Sequence, residues 1–139
     1  MLSIRNEIVV AVKGVIEHNG KVLIMKRASD DVVGGGTWEC AGGKISFGED
    51  LENALVREAK EETGLDILVE RILYATTFQT DPTRQVIILT YLCRSNRNDV
   101  VLSEEHTDYQ WSNNEQLRRL LPQGIVDDFE KNDVFSLFS

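Results

Sequence analysis

The stretch "LVREAKEETGL", residues 55 to 65, places Glu58, Glu61 and Glu62 within five positions of one another. On a helix these glutamates lie three or four positions apart, where like charges repel each other. A stable helix carries such a cluster only if something offsets the repulsion. The direction in which the three carboxylates point therefore indicates what the segment does.

The ends of this segment predict a helix. Asp50 can serve as the N-cap and Gly64 as the C-terminal stop, so the helix should run from about Leu51 to Thr63. The glycine-rich sequence before it, residues 28 to 50, has no helical period and is expected to form a long loop with at most short strands.

The predicted helix has one apolar stripe, and the three glutamates continue it. With Leu51 at zero and about 100° per residue, Leu55 lies near 40° and the glutamates fall between about 280° and about 20°. Asn53 and Lys60 lie on the opposite face, at about 180° to 200°. A solvated charged face would have placed the glutamates there. We therefore expect inward-facing carboxylates, which need a partner that neutralises them.

A divalent cation is the partner that these carboxylates indicate. Mg²⁺ and Mn²⁺ prefer oxygen ligands, and Mg²⁺ typically connects one or two carboxylates to substrate phosphates. Arg57 lies four residues before Glu61 and can hold that carboxylate through a charge-assisted contact. The alternative role for Arg57 is an ordinary surface ion pair.

Length and charge limit the classes of function. The 139 residues, 42% of them hydrophobic, predict a single domain spanning residues 1–139. A net charge of −8 argues against nucleic acid or an anionic membrane as a partner. The sequence has no signal peptide pattern and no long apolar run, so we expect a cytoplasmic protein. A monomer and a homodimer both remain possible. Cys40 and Cys93 are expected to be buried thiols.

The rest of the sequence predicts mixed strands and helices, and hence an α/β or α+β layered domain. Turns are predicted at Asn19-Gly20 and at Asp81-Pro82. The predicted strands are "EIVVAVKGVIEH", "KVLIMKR", "LDILVERILYATTFQ", "RQVIILTYLCR" and "TDYQWSN", and the predicted short helices are "NEQLRRLL" and "GIVDDFEKN".

The segment "GKISFGEDLENALVREAKEETGL", residues 43 to 65, resembles the Nudix box. That motif is a glycine, five residues, a glutamate, seven residues, then Arg-Glu-aliphatic-x-Glu-Glu-x-Gly-aliphatic. So many fixed positions make it far more specific than a lone glycine-rich loop. The matching positions are Gly43, Glu49, Arg57, Glu58, Ala59, Glu61, Glu62, Gly64 and Leu65.

The resemblance extends upstream, to about residue 20. "GKVLIMKRASD" and "WECAGGKI" are similar to the MutT-type nucleoside triphosphate pyrophosphohydrolases of this superfamily. Two positions depart from the usual pattern: Ala59 is smaller than the usual aliphatic residue, and Ala41 replaces a proline found in many members. Without that proline, the loop that presents the Gly43 carbonyl is less rigid.

The resemblance implies an α/β Nudix fold, an α/β/α sandwich with a mixed β-sheet. It also implies metal-dependent hydrolysis of a nucleoside diphosphate linked to a further group X, with Mg²⁺ or Mn²⁺ as the cofactor and a small nucleotide as the substrate. By the same resemblance, the metal ligands are Glu58, Glu61, Glu62 and the Gly43 carbonyl.

The base that activates water is left open by the resemblance. Glu58 or Glu61 is one choice, since either can orient or deprotonate water. Some family members instead use a glutamate in a later loop, a role open here to Glu104 or Glu105. A solvated acidic turn is an equally good interpretation of these last two residues.

Other candidate residues have weaker support. Arg27 ends its strand near where MutT-type enzymes hold a substrate phosphate. Trp38, Phe78 and Trp111 are candidates for stacking on a base, although aromatic residues in strands more often belong to the core. The isolated histidines, His18 and His106, are assigned no role.

Three functions are compatible with these features. The favoured one is hydrolysis of a nucleoside triphosphate, ribo or deoxy, to a monophosphate and pyrophosphate. A second is hydrolysis of ADP-ribose or another nucleotide sugar; members with that activity often have a proline some fifteen residues past the box, and Pro82 lies 17 residues after Leu65. The third, a noncatalytic nucleotide sensor, typically lacks box glutamates that this sequence retains.

Overall fold

A mixed seven-stranded β-sheet forms the centre of the fold in the computed structural model, which describes residues 5–29 and 35–139. Residues 30–34 of the predicted glycine-rich loop and residues 1–4 lie outside the described part. The elements, in chain order, are β1 Glu7–His18, β2 Lys21–Arg27, β3 Trp38–Glu39, β4 Ala41–Lys44, α1 Leu51–Thr63, β5 Leu68–Asp81, β6 Arg84–Arg94, β7 His106–Ser112, α2 Asn114–Leu120, α3 Gln123–Lys131 and a 3₁₀ turn Phe135–Leu137.

Strand pairing makes the sheet mixed. The main order is β3-β2-β1-β6-β5, with β4 also paired to β1 and β7 to β2. β1 and β6 are parallel, and the other pairs are antiparallel. The predicted hairpin between β1 and β2 is confirmed, because Asn19 and Gly20 have positive φ angles of 52° and 81°. The mixed β-sheet predicted from the sequence is therefore confirmed.

Helices cover both faces of this sheet. In β2, Leu23 and Met25 pack into the core cluster that contains α1, whereas Val22 and Ile24 pack into the cluster that contains α2 and α3. This division follows from the alternation of side chains along a strand. The result is the predicted α/β/α sandwich, with α1 on one face and the C-terminal helices on the other.

Helix α1 begins and ends where the sequence predicts. The Asp50 side chain accepts a hydrogen bond from the Asn53 amide at 2.7 Å. At the other end, Gly64 has a φ of 75°, and its amide donates to the Lys60 carbonyl at 3.0 Å. Only glycine adopts this left-handed conformation without strain, so it ends the helix well.

Truncating Leu55 tests the packing of α1. Its side chain is fully buried in the cluster between α1 and the sheet. Leu55→Ala should lower the free energy of unfolding by about 2 to 5 kcal/mol, through lost burial and a residual cavity. Denaturant unfolding measures the change.

The control for this prediction is Lys60→Ala on the opposite face of α1. The Lys60 side chain is 54% exposed, so its removal should change the free energy of unfolding by no more than about 0.5 kcal/mol. Equal losses in the two variants would contradict the assigned orientation of the helix.

Candidate active site

Helix α1 and the start of β4 bring two of the predicted glutamates to one cavity, which we call the acidic pocket. Its principal lining side chains are Lys13, Arg27, Glu39, Glu58, Glu62 and Glu105. Of the sequence-predicted residues, it therefore unites Glu58, Glu62, Arg27 and Glu105, and the backbone of Gly43 also lines it.

Glu62 is the most enclosed carboxylate of the pocket. It is 3% exposed, and its Oε1 atom accepts a hydrogen bond from the Gly42 amide at 2.8 Å. Burial raises the pKa of Glu62 to about 7, despite the opposing effect of that hydrogen bond and of the Lys13 charge. A buried carboxylate of this kind favours either a proton or a cation beside it.

The double glycine allows the chain to approach α1 closely. A Cβ atom on Gly43 would lie 2.7 Å from the Glu58 carboxyl group. At Gly42, which has a φ of 150°, a Cβ atom would lie 2.0 Å from the Val12 carbonyl oxygen. A side chain at Gly43 would therefore collide with Glu58 on α1, and a side chain at Gly42 would collide with the backbone of β1, which pairs with β4.

Arg57 connects the glutamates of the loop and the helix. Its Nε and Nη2 atoms donate to the two carboxylate oxygens of Glu49 at 2.7 and 2.9 Å. Its Nη1 atom donates to Glu58 at 3.0 Å and, more weakly, to Glu61 at 3.4 Å. Hydrogen bonding from Arg57 lowers the pKa of Glu49 to about 2. Arg57 therefore fixes several carboxylates, which is more than an ordinary surface ion pair does.

The prediction that all three helix glutamates face inward is wrong for Glu61. Its side chain is 59% exposed, whereas that of Glu58 is 16% exposed. By its helical angle, Glu61 lies at the margin of the apolar stripe. Its side chain points toward solvent, where it contacts Arg57. Asn53 and Lys60 are exposed as predicted, and Leu51 is half-buried.

The loop before β7 contributes one of its two glutamates. Glu105 lines the acidic pocket, and its ligand atom lies within 4.8 Å of those of Glu62 and His106. Both glutamates are exposed, but Glu104 is not among the residues that line this pocket. The two glutamates that the sequence leaves equivalent are therefore different in the structure.

Sequence analysis missed a partly buried group of ion pairs centred on Glu39. This carboxylate contacts Lys13 at 3.2 Å, Arg27 at 3.4 Å and His106 Nε2 at 2.8 Å. Burial alone would raise the pKa of Glu39, but the His106 hydrogen bond and the charges of Lys13 and Arg27 lower it to about 2. This contact of His106 was not predicted from the sequence.

A signal for this group of ion pairs was present in the sequence. Lys13 is a single cation within the apolar strand "EIVVAVKGVIEH", and Glu39 lies between Trp38 and Cys40. A charged residue in such a setting is seldom buried without an oppositely charged partner.

A second cavity adjoins the acidic pocket, and we call it the apolar pocket. It has a volume of about 240 Å³ and shares Lys13 and Glu39 with the acidic pocket. Most of its wall is aromatic and aliphatic, with the principal side chains Trp38, Tyr74, Phe78, Ile88, Ile125 and Phe129. Two of the three predicted stacking candidates, Trp38 and Phe78, therefore lie together.

Trp111 does not join them. It packs against the cluster on the α1 face, its Nε1 atom donates to the Asn98 carbonyl at 3.0 Å, and its ring lies 5.7 Å from that of His18. It has the packing role that is usual for an aromatic residue in a strand. Cys40 and Cys93 are buried free thiols, as expected.

The donor set of the acidic pocket fits a hard divalent cation. Glu58 and Glu62 provide carboxylate oxygens, which are the ligands that Mg²⁺ and Mn²⁺ prefer. The raised pKa of Glu62 indicates that its charge lacks sufficient compensation from the surrounding protein. A bound cation would supply that compensation.

Comparison with known proteins identifies the family. Residues 6–131 match the sequence model of the NUDIX domain. The chain belongs to the Nudix family. As a Nudix hydrolase of the MutT type, it is an enzyme that acts on acid anhydrides. Members of this family generally use divalent metal ions, in agreement with the acidic pocket.

Individual relatives support the same assignment. The chain is 34% identical over 116 residues to the nucleoside triphosphatase NudI of Enterobacter sp. strain 638, covering 76% of this chain and 82% of the relative. It is 35% identical over 112 residues to NudI of Escherichia coli O81, covering 73% and 79%. The crystal structure of a MutT protein from Methanosarcina mazei Go1 matches with a TM-score of 0.83 at 28% identity, covering 94% and 96%.

Within residues 5–29 and 35–139, every helix is too short or too polar to cross a membrane.

Glu62 should make the stability of the metal-free Nudix protein depend on pH. The pKa of Glu62 is about 7 in the folded protein, whereas an unperturbed glutamate, as in the unfolded chain, has a pKa of 4.5. Between these two pH values, the folded state holds a proton that the unfolded state releases. The Glu62 contribution to the free energy of unfolding should therefore fall by on the order of 2 to 3 kcal/mol from about pH 5 to about pH 8.

Denaturant unfolding in chelator, with wild type and Glu62→Gln side by side, measures this contribution. The wild type should lose more stability than the variant as the pH rises, because glutamine does not titrate. An identical pH dependence in both proteins would contradict the assignment.

Proposed function

We propose that this Nudix enzyme hydrolyses a nucleoside triphosphate to a nucleoside monophosphate and pyrophosphate, with Mg²⁺ or Mn²⁺. The observation that carries the proposal is the adjacency of the acidic pocket and the apolar pocket, which share Lys13 and Glu39. One pocket suits a phosphate-bound cation, and the other suits the flat ring of a base. The activity named for the NudI relatives supports a triphosphate substrate.

In this proposal, the metal would be held by Glu58, Glu61, Glu62 and the Gly43 carbonyl. When bound, a divalent cation neutralises phosphate charge and makes a nearby water more acidic. Arg57 positions Glu58 and Glu61, because its guanidinium donates to both carboxylates. Glu61 would reach the ion from the solvent side, in agreement with its exposure.

Glu105 is the proposed general base. It would accept a proton from water as the water oxygen forms a bond to a phosphorus atom of the substrate. The phosphorus–oxygen bond of the anhydride bridge then breaks, and its electrons leave with pyrophosphate. Its place in the acidic pocket favours Glu105 over Glu104, while Glu58 and Glu61 are better suited to hold the cation.

Arg27 and Lys13 are the proposed phosphate-binding groups. Both side chains line the acidic pocket, and both form ion pairs with Glu39, which also lines it. Positive charge at this position would offset the charge of the departing pyrophosphate. We further propose a single domain over residues 1–139, acting in the cytoplasm on small nucleotides as a monomer or homodimer.

A substrate panel tests the reaction. Nucleoside triphosphates, nucleotide sugars and dinucleoside polyphosphates are incubated with Mg²⁺ or Mn²⁺, and the products are separated. A triphosphate should give monophosphate and pyrophosphate, and excess EDTA should abolish turnover because the carboxylate cluster then lacks its cation. Preferential cleavage of ADP-ribose would replace the proposed substrate class, and full turnover in EDTA would refute the metal requirement.

Glutamine substitutions test the assigned roles. Glu62→Gln and Glu105→Gln should each lower kcat by about a hundredfold or more, since electrostatic contributions of this kind amount to a few kcal/mol. The matched control, Glu104→Gln, should alter kcat by less than about twofold. Thermal unfolding checks that each variant is folded. Equal effects at the two neighbouring glutamates would remove Glu105 from the mechanism.

A further inference from the structure

One carboxylate of the apolar pocket is not used by the proposed chemistry. Asp128 lines that pocket together with Lys13 and Glu39 as its charged residues. Lys13 and Glu39 pair with each other at 3.2 Å. In the part of the chain that the structure describes, the Asp128 carboxylate makes no hydrogen bond or ion pair. The pocket thus has an acceptor without a partner on a mostly apolar wall.

Helical spacing directs Asp128 toward the pocket. Ile125 and Phe129 lie three residues before it and one residue after it on α3, and both line the same cavity. Side chains three residues apart share one face of a helix. The negative charge of Asp128 also acts on the Tyr74 hydroxyl, whose pKa is raised mainly by burial and further by this charge. Tyr74 lines the cavity from β5, and its ring centroid lies 6.4 Å from that of Phe129, the residue after Asp128.

The size of the pocket matches part of a nucleotide. Its volume of about 240 Å³ is below the roughly 300 to 1,000 Å³ of typical ligand pockets. A base with its flat ring fits this space, while the phosphates would lie in the acidic pocket. A base seated here would displace water from Asp128, at a cost unless the base supplies hydrogen-bond donors.

We infer that Asp128 is a specificity-determining residue that selects bases presenting two adjacent N–H donors. This inference rests on the proposed function. A carboxylate has two acceptor oxygens and pairs best with two parallel donors. Guanine offers such an edge through its N1–H and its 2-amino group. Adenine and cytosine place an acceptor nitrogen beside their amino donor, and the N3–H of uracil or thymine lies between two carbonyl acceptors.

Asparagine at this position should reverse the preference. Its amide has the same shape as the carboxylate but presents one donor and one acceptor. That pattern matches the adjacent donor and acceptor of adenine, cytosine and thymine. Asp127 provides the control on the same helix, because it is exposed and accepts a hydrogen bond from Gln123 Nε2 at 2.8 Å.

The experiment compares wild type, Asp128→Asn and Asp127→Asn. kcat/KM is measured with dGTP, dATP, dCTP, dTTP and 2-deoxyribose 5-triphosphate, which has no base. Asp128→Asn should lower kcat/KM for dGTP by about tenfold to a hundredfold and raise the relative preference for dATP, dCTP and dTTP. It should change hydrolysis of the base-free compound by less than about threefold. Asp127→Asn should leave every ratio unchanged.

A binding measurement separates this inference from the proposed function. Titration calorimetry with the α,β-methylene analogues of dGTP and dTTP reports base preference without hydrolysis. Guanine preference that is lost in Asp128→Asn would support the inference even if no triphosphate were hydrolysed. Hydrolysis with a base preference that Asp128→Asn leaves unchanged would overturn the inference and leave the proposed function intact.

A structural role for Asp128 has a different signature. If the residue only supported α3, Asp128→Asn would lower kcat/KM for all five compounds equally, and this result would overturn the inference. Thermal unfolding of each variant monitors the fold, and Asp128→Ala provides a second variant that also lacks the acceptor pair. Loss of guanine preference in both variants, with base-free hydrolysis retained, is the expected result.

Discussion

The hydrogen bond from the Gly42 amide to the buried Glu62 carboxylate is the contact on which the site depends. It joins β4 to α1 at 2.8 Å, across 20 residues of sequence. Burial of Glu62 is unfavourable in the absence of a cation, since its pKa rises to about 7. The apolar packing of α1 offsets this unfavourable free energy, because Ala54, Leu55 and Ala59 are fully buried and hold the helix in place.

The glycines make this contact possible, and Arg57 organises the charge around it. Close approach at Gly43 leaves the Glu58 carboxyl group against the backbone, where a side chain would keep the two apart. Arg57 offsets part of the repulsion among neighbouring glutamates by donating to Glu49 and Glu58 at once. The opposition between charge repulsion and helix stability is thus resolved by one arginine and, in the proposed mechanism, a metal ion.

Local features of the fold were predictable from the sequence, and distant pairings were not. The caps at Asp50 and Gly64 and the turn at Asn19-Gly20 depend on neighbouring residues, so their residue types indicate them directly. The inward direction of Glu58 and Glu62 followed from helical period alone. The contact of Glu39 with His106 spans 67 residues, and no local pattern reports such a pair.

Glu61 and Glu104 show a second limit of sequence patterns. The helical angle placed Glu61 on the apolar stripe, but a long side chain at the margin of the stripe can point toward solvent, as Glu61 does where it contacts Arg57. Glu104 and Glu105 are adjacent in a turn, and a one-residue difference reverses which side chain faces the pocket. In both cases the sequence showed that a glutamate was present, but the direction of its side chain depended on the packing of residues around it.

The Lys13–Glu39 pair gives the two pockets a common wall, and this wall has a consequence for specificity. Arg27 and His106 also contact Glu39, so its position is set by three partners from β1, β2 and β7. These contacts restrain the Glu39 side chain from three strands, so the wall that the two pockets share is tied to the sheet on several sides. In the proposed function, the apolar pocket would hold the base and the acidic pocket the phosphates. A poorly seated base would then displace the phosphates as well, so base recognition in one pocket would affect catalysis in the other.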